Sequence, residues 1–181
     1  MTIPDMDAPE RIAWEGKWIT AKTRGRWEYV SRSGDIRAAV ILAMEDGEIV
    51  LVEQYRVALG RRCLELPAGL IGDDDGGSDD DPLRAAQREL EEETGYCAAH
   101  WAVIGEFYSS PGMTDESFTL LRASGLTKTG PGGGVEGEDI TVHRVKLADL
   151  AQTVADFRAG GLGIDTRILL ALGSDLLGDL A

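Results

Sequence analysis

The sequence contains few cysteines and histidines, the two residue types from which most zinc sites are built. Its two cysteines, Cys63 and Cys97, and its two histidines, His100 and His143, show no short metal-ligand spacing. No zinc site is therefore predicted, and we interpret both histidines as structural. A disulfide between the two cysteines stays open on sequence alone, although buried reduced thiols are the commoner outcome in a cytosolic protein.

Positive charge is also scarce in this chain. Its 181 residues include 18 Lys and Arg against 32 Asp and Glu, which gives a net charge of −14. Sequence-independent binding of nucleic acid depends on clustered basic residues, so we expect no nucleic-acid partner. An acidic protein that binds an anionic substrate needs local compensation, either from a few placed arginines or from divalent cations.

Long apolar runs are missing as well. No stretch approaches about 18 consecutive apolar residues, the length of a membrane-spanning helix, and residues 1–10 lack the basic start and apolar run of a signal peptide. With 43% hydrophobic and 28% charged residues, the composition is that of an ordinary globular domain. We therefore expect one compact, soluble, cytoplasmic protein without a membrane partner.

Patterns typical of β-strands occupy much of the chain. The segments rich in aromatic, β-branched and other apolar residues, which predict strands, are 27–30, 38–43, 48–52, 101–108, 117–121 and 140–145. The turn signal Asp46-Gly47 joins two of them as a hairpin. These strands predict a sheet that includes antiparallel neighbours.

Helical signals follow an acidic, glycine-rich segment at 72–81. Pro82 suits the first turn of a helix, the acids before it favour a helix N-terminus, and Gly95 favours a helix end. Helical periodicity returns in the tail at 147–157 and 166–177. The order of elements predicts an α+β domain, with helices packed on the faces of a mixed sheet.

Three glutamates share one face of the predicted helix. Glu89, Glu92 and Glu93 stand at positions i, i+3 and i+4. Like charges at this spacing repel, so a counterion is expected to offset them. Mg²⁺ suits this role because it prefers carboxylate oxygens and commonly bridges substrate phosphates. Taken alone, the segment is better explained as a solvated acidic helix face.

The sequence around these glutamates resembles the Nudix box. Gly69 is followed at 88–96 by Arg-Glu-Leu-Glu-Glu-Glu-Thr-Gly-Tyr, and the family pattern is Arg-Glu-apolar-x-Glu-Glu-x-Gly-apolar. It departs in two respects: Asp80 replaces a family glutamate, and ten residues rather than five separate it from Gly69. The resemblance implies a Nudix fold over 35–181, an α/β/α sandwich with a mixed β-sheet.

The resemblance also implies a role for each polar residue of the box. Glu89 and Glu93 correspond to the principal Mg²⁺ ligands, Glu92 to an additional ligand and the backbone carbonyl of Ala68 to a further one, with Mn²⁺ as the alternative metal. Arg88 corresponds to the arginine that orients these carboxylates by salt bridging. Such a metal site polarises phosphoryl oxygens and activates a water for in-line attack.

Other segments are similar to the ADP-ribose pyrophosphatase branch of the family. They are 53–56, 65–71 and Pro111, which lies fifteen positions after Tyr96. The similarity implies hydrolysis of ADP-ribose to AMP and ribose 5-phosphate. Two alternatives stay open: a pyrophosphatase for another nucleoside diphosphate sugar, such as GDP-mannose or ADP-glucose, and a catalytically silent domain that senses ADP-ribose.

Two tryptophan-bearing segments resemble the adenine-binding segments of animal ADP-sugar pyrophosphatases, whose tryptophans come from different subunits of a domain-swapped homodimer. They are Glu-Gly-Lys-Trp, ending at Trp18, and Trp-Glu-Tyr-Val-Ser-Arg, beginning at Trp27. The resemblance implies that both tryptophans stack on adenine and that Glu28 accepts from its exocyclic amine. Core or dimer packing is the alternative, and we interpret Trp14 and Trp101, which match no such segment, as packing residues.

The same comparison implies the rest of the substrate site. Arg32 and Arg56 correspond to residues that hold the ribose-phosphate portion, since guanidinium groups suit phosphates. Glu116 corresponds to a glutamate near the terminal ribose. Residues 1–34 are accordingly predicted to form an N-terminal strand segment that contributes to the dimer and to the base pocket.

A glycine-rich loop at 129–137 precedes the last predicted strand. Residues 134–140 resemble the flexible acidic loop that supplies the catalytic base in this branch, with Glu138 as the base and Glu136 as the alternate. A carboxylate on a loop that closes over the substrate can take a proton from an activated water. A solvated loop is the alternative interpretation.

Overall fold

The computed structural model describes residues 3–72, 81–135 and 137–173. The strands are β1 (Glu10–Glu15), β2 (Ile19–Arg24), β3 (Trp27–Arg32), β4 (Arg37–Glu45), β5 (Glu48–Arg56), β6 (Arg61–Glu65), β7 (Ala68–Ile71), β8 (Tyr96–Tyr108), β9 (Ser117–Lys128), β10 (Thr141–Lys146) and β11 (Gly163–Ile164). The helices are α1 (Pro82–Thr94), α2 (Leu150–Ala159) and α3 (Ile168–Leu172). None of the described helices is long and apolar enough to cross a membrane.

The N-terminal strands form a sheet of their own. Strands β1, β2 and β3 pair antiparallel in that order. The predicted N-terminal antiparallel strand segment is confirmed, although the sequence indicated neither three strands nor their order. Every residue of β1 is exposed, including the apolar residues Ile12 and Trp14. The chain passes to the second sheet between Arg32 and Arg37, beside the predicted boundary at residue 34, and the division into two units stays a prediction.

The second sheet is mixed, as predicted. Its strands run in the order β11-β6-β5-β4-β9-β8, with β10 added to β5 and β7 added to β4. The pairs β4–β9 and β6–β11 are parallel, and the other pairs are antiparallel. Strand β4 is central because the apolar run at 38–43 is buried on both faces.

Helices cover both faces of this mixed sheet. Side chains alternate along a strand, so Val40 and Leu42 of β4 pack in one cluster and Ala39 and Ile41 in another. The first cluster includes residues of α2 and α3, and the second includes Ala85, Ala86 and Leu90 of α1. The predicted α/β/α sandwich is therefore confirmed.

The ends of α1 agree with the local signals in the sequence. The side chain of Asp81 accepts a hydrogen bond of 3.0 Å from the Leu83 N–H, and Pro82 opens the helix. Gly95 ends it in the left-handed conformation, with φ of 68°. Strand β8 then starts at Tyr96, five residues before the predicted start at 101.

Several smaller predictions concern side chains around this core. Cys63 and Cys97 are both free thiols. Trp101 packs beside the α1 cluster and donates from its indole N–H to the Ala98 carbonyl at 3.2 Å. Trp14, also predicted to pack, is 57% exposed in the single chain.

Candidate active site

A cavity of about 800 Å³ opens beside α1, β6 and β7. Of the residues predicted from sequence to act in the site, those that line it are Arg32, Arg56, Ala68, Glu89, Glu93, Glu116 and Glu138. They come from six separate segments of the chain, so only the fold brings them together.

Glu93 is the most unusual titratable group in this cavity. It is 5% exposed, and its carboxylate accepts a hydrogen bond of 3.0 Å from the backbone N–H of Ala68. Burial raises the pKa of the Glu93 carboxyl to about 8 against this hydrogen bond, and the negative charges of Glu89 and Glu138 raise the pKa further. The cavity therefore holds clustered negative charge at a poorly solvated position.

Glu89 lies directly against strand β7. A Cβ atom built on Gly69 would fall 1.9 Å from the carboxyl carbon of Glu89, so glycine at this position makes room for the carboxylate. The guanidinium of Arg88 lies 3.5 Å from the Glu89 carboxylate, which agrees with the predicted orienting role. The role itself stays a prediction.

The donor set of the cavity suits a hard divalent cation. Glu89 and Glu93 supply carboxylate oxygens, the backbone supplies carbonyls such as that of Ala68, and a cation relieves the repulsion between buried carboxylates. Within the described part of the chain, no compact group of three His, Cys, Asp or Glu side chains that could hold a metal is present. Mg²⁺ is commonly bound by one or two carboxylates together with substrate phosphate and water oxygens.

Glu92, the third glutamate of the predicted ligand face, lies elsewhere. Its side chain is exposed and does not line the cavity. Its backbone carbonyl accepts a hydrogen bond of 3.0 Å from the Gly134 N–H, and the carbonyl of Glu93 accepts one of 2.8 Å from the Gly133 N–H. The glycine-rich loop thus covers the C-terminal end of α1 and satisfies carbonyls that a helix end leaves free.

The same loop brings Glu138 into the cavity. The Glu138 carboxylate accepts a hydrogen bond of 3.0 Å from the Val135 N–H within its own loop. Glu138 lines the same cavity as Glu89 and Glu93, which fits the predicted position of a base near the metal ligands. Glu136, the alternate base, lies outside the described residues.

The opposite wall of the cavity contains ion pairs that the sequence did not reveal. Arg56 donates from Nε and Nη2 to the buried Glu65 carboxylate at 2.7 and 2.6 Å, and this hydrogen bonding raises the pKa of the Arg56 guanidinium. Arg167 lies 3.7 Å from the same carboxylate and pairs with Asp165. Glu65, Asp165 and Arg167 were not predicted as site residues.

Arg32 and Glu116 form a pair at the mouth of the cavity. The Nε of Arg32 donates to the Glu116 carboxylate at 2.5 Å. Nearby, Ser31 donates to Asp115 at 2.6 Å, which joins the N-terminal sheet to the segment before β9. Arg32, predicted to hold the ribose-phosphate portion, and Glu116, predicted to lie near the terminal ribose, are therefore in contact.

The predicted adenine-binding residues do not form one pocket within the single chain. Trp27 and Pro111 line a second cavity of about 460 Å³ with Tyr29 and Tyr108, whereas Trp18 lines neither cavity. Trp18 precedes β2 at one end of the β2–β3 hairpin, and Trp27 lies at the other end, where it pairs with Arg24. The two ends are about 17 Å apart at ~3.3 Å per residue, so the two tryptophans are well separated. Glu28 is exposed beside Trp27.

Comparison with known proteins agrees with this architecture. Residues 35–160 match the NUDIX domain. The ADP-ribose pyrophosphatase of Mycobacterium tuberculosis is 41% identical over 119 residues, which cover 65% of this chain and 56% of that protein. The ADP-ribose pyrophosphatase of Bacillus subtilis is 35% identical over 128 residues, which cover 70% of this chain and 65% of that protein. The chain thus spans less than two thirds of the length of either relative.

A solved structure supports the same fold. The crystal structure of an ADP compounds hydrolase superposes with a TM-score of 0.71, covering 95% of this chain and 94% of that chain at 21% sequence identity. The domain match covers most of the chain and includes the glutamates of α1. On these grounds the chain belongs to the Nudix family.

Proposed function

We propose that this protein is a Mg²⁺-dependent ADP-sugar pyrophosphatase that hydrolyses the diphosphate of ADP-ribose to AMP and ribose 5-phosphate. The observation that carries the proposal is a single cavity in which carboxylates from α1 and from the glycine-rich loop lie near the guanidinium of Arg56. The two relatives that carry the name ADP-ribose pyrophosphatase support the choice of substrate.

The carboxylates of α1 are assigned to the metal. Glu89, Glu93 and the Ala68 carbonyl would hold Mg²⁺, with Mn²⁺ as a substitute, whereas Glu92, predicted as an additional ligand, lies outside the cavity and is not assigned to the metal here. When bound, the metal supplies charge neutralisation for the diphosphate and lowers the pKa of a bound water. Arg88 keeps Glu89 oriented by its charge at 3.5 Å.

The arginines are assigned to the substrate phosphates. Nε and Nη2 of Arg56 are held by Glu65, so Nη1 is the nitrogen left to donate to a phosphate oxygen. Arg32 is held by Glu116 at the mouth, where both side chains can contact the ribose-phosphate portion. Because these guanidinium groups are already held in place, binding a phosphate costs them little further side-chain entropy.

Glu138 is assigned as the general base. Its carboxylate would accept a proton from the attacking water while the water oxygen bonds to phosphorus and the bond from that phosphorus to the bridging oxygen breaks. In the present structure the carboxylate contacts the Val135 N–H, a bond that the base must release or share during the reaction. Glu136 is the alternate base.

The base pocket is assigned to two chains of a homodimer. Trp27, Pro111 and Glu28 would contact adenine from one chain, and Trp18 would reach it from the partner, because one chain holds its two tryptophans too far apart. The exposed apolar side chains of the N-terminal sheet supply a surface for this association. A cytoplasmic location, expected from the sequence, stays a prediction.

The direct test is hydrolysis of ADP-ribose by the purified chain, with products separated by chromatography. AMP and ribose 5-phosphate should appear with Mg²⁺ and stop on addition of EDTA. Binding of ADP-ribose without turnover would instead identify a silent sensing domain.

A further inference from the structure

We propose that Arg62 of β6 is a positioning residue that fixes the backbone beside Glu138 and so holds the catalytic carboxylate over the cavity. The inference rests on the proposed function, because it takes Glu138 as the base. Arg62 does not line the cavity and would act only through the loop.

A single guanidinium makes several contacts with the end of the loop. Arg62 Nη1 donates to the Asp139 carboxylate at 2.7 Å, and Nη2 donates to the backbone carbonyl of Asp139 at 3.1 Å. Nη2 also lies 3.3 Å from the Thr141 hydroxyl. The contact with the carbonyl matters most, because it fixes the main chain of the residue that follows Glu138.

The guanidinium is itself held in place by the sheet. Arg62 Nε donates to Glu53 Oε1 at 2.5 Å, and Nη2 donates to the Glu53 carbonyl at 3.1 Å. The other oxygen of Glu53 lies 3.0 Å from His143 Nε2. Glu53, Arg62 and His143 belong to β5, β6 and β10, which pair as neighbours, so the anchor is built on three strands.

The other end of the loop is fixed to α1. The Gly133 and Gly134 amides donate to the carbonyls of Glu93 and Glu92, so Glu138 lies in the span between these contacts and the Arg62 contact at Asp139, where it hydrogen-bonds with Val135. Glu138 is adjacent to the Arg62 end of this span. Loss of the Arg62 anchor would therefore let Glu138 leave the position required for proton transfer more often.

The contact between Arg62 and the loop should contribute little to the stability of the fold. The Asp139 side chain is 85% exposed, and ion pairs with exposed partners contribute little to stability. Replacement of Arg62 also removes a partner of Glu53, whose side chain is 15% exposed, so circular dichroism must show that R62Q is folded before its kcat is compared. A matched control stands next to it in β6: the Arg61 side chain is exposed, and among the described residues no ion pair or hydrogen bond joins it to another side chain.

The test compares R62Q and R61Q in the full-length chain with ADP-ribose and Mg²⁺. R62Q should lower kcat on the order of tenfold with KM within about twofold, and R61Q should match the wild type. Adding R62Q to an E138Q background should lower kcat no further, because residues that act through one group are not additive. Hydrogen exchange at the amides of 137–141 should be faster in R62Q than in the wild type, and unchanged in R61Q.

Three results would each overturn the inference: an unchanged kcat in R62Q, an unchanged rate of hydrogen exchange in R62Q, or an equal loss of kcat from R62Q with and without E138Q. An inactive wild-type chain would refute the proposed function and the catalytic role with it, whereas the exchange measurement would still decide whether Arg62 fixes the loop.

Discussion

The backbone N–H of Ala68 and the carboxylate of Glu93 are joined by a hydrogen bond of 3.0 Å. This bond ties the start of β7 to the last turn of α1 and keeps the carboxylate inside the cavity rather than in solvent. A buried acid next to Glu89 and Glu138 has a raised pKa, about 8 for Glu93. A cation bound at the proposed metal site would offset the free energy that burying this group costs the fold.

The raised pKa of Glu93 predicts a stability difference that depends on pH. Between pH 4.5 and 8 the unfolded chain ionises this group while the folded chain keeps it protonated. The contribution of Glu93 to stability therefore falls as pH rises through this window, by a few kcal/mol at most. In EDTA, Tm of the wild type should fall relative to that of Glu93→Gln from pH 5 to pH 8, as scanning calorimetry can measure. Parallel pH curves for the two proteins would contradict the assigned pKa.

Glu93→Gln should also lose turnover, because the neutral amide is a poor metal ligand. We expect kcat for ADP-ribose to fall by about 10²-fold or more, with the fold preserved since the amide oxygen can still accept from Ala68. Circular dichroism checks that the fold is preserved, and steady-state kinetics measure the fall in kcat. Activity equal to the wild type would remove Glu93 from the metal site.

Gly69→Ala should disturb Glu89 without straining the backbone. The added Cβ would fall 1.9 Å from the Glu89 carboxyl carbon, so the carboxylate must move. We expect the Mg²⁺ concentration for half-maximal activity to rise about tenfold or more. Gly130→Ala is the matched control, because its added Cβ meets no described atom within 4 Å. Equal metal dependence in both variants would contradict the placement of Glu89.

Trp27→Ala should weaken substrate binding more than it slows the chemical step. A stacked base is bound equally in the ground and transition states, so KM should rise about tenfold while kcat changes little. Trp101→Phe, which alters a tryptophan packed beside the α1 cluster, is the control. An unchanged KM for Trp27→Ala would place adenine elsewhere.

Ile12→Asp should separate the proposed homodimer into single chains. Ile12 is 60% exposed on β1 in the single chain and would be buried in the proposed dimer interface. An aspartate there would bury an unpaired charge and so weaken the association of the two chains. Sedimentation should show the loss of the dimer together with a raised KM, because Trp18 of the partner chain no longer contacts the base. Val103→Asp changes an equally exposed residue outside this sheet and should stay dimeric. A monomeric wild type would rule out the shared pocket.

Local signals explain what the sequence predicted correctly. Asp81, Pro82 and Gly95 act within one or two turns of α1, so the helix could be delimited without knowledge of the fold. Helical spacing put Glu89 and Glu93 near one another, and both line the cavity. Strand β8 was predicted too short because its first residues, rich in alanine, have weak strand propensity and are held by pairing with β9.

Long-range contacts explain what the sequence did not reveal. Glu65 meets Arg167 across about a hundred residues, and nothing near either residue indicates the pairing. The separation of Trp18 from Trp27 likewise depends on the register of the β2–β3 hairpin. Asp80 and the rest of the acidic segment at 73–80 lie outside the described residues, so their predicted role was not tested.

The most direct measurement is a comparison of kcat/KM for ADP-ribose, ADP-glucose and GDP-mannose, each with and without Mg²⁺. The account predicts that ADP-ribose is hydrolysed fastest, that AMP is the nucleotide product, and that EDTA abolishes the reaction. Faster release of GMP from GDP-mannose would contradict the adenine assignment of Trp18, Trp27 and Glu28. Turnover in EDTA equal to that in Mg²⁺ would contradict the metal assignment of Glu89 and Glu93.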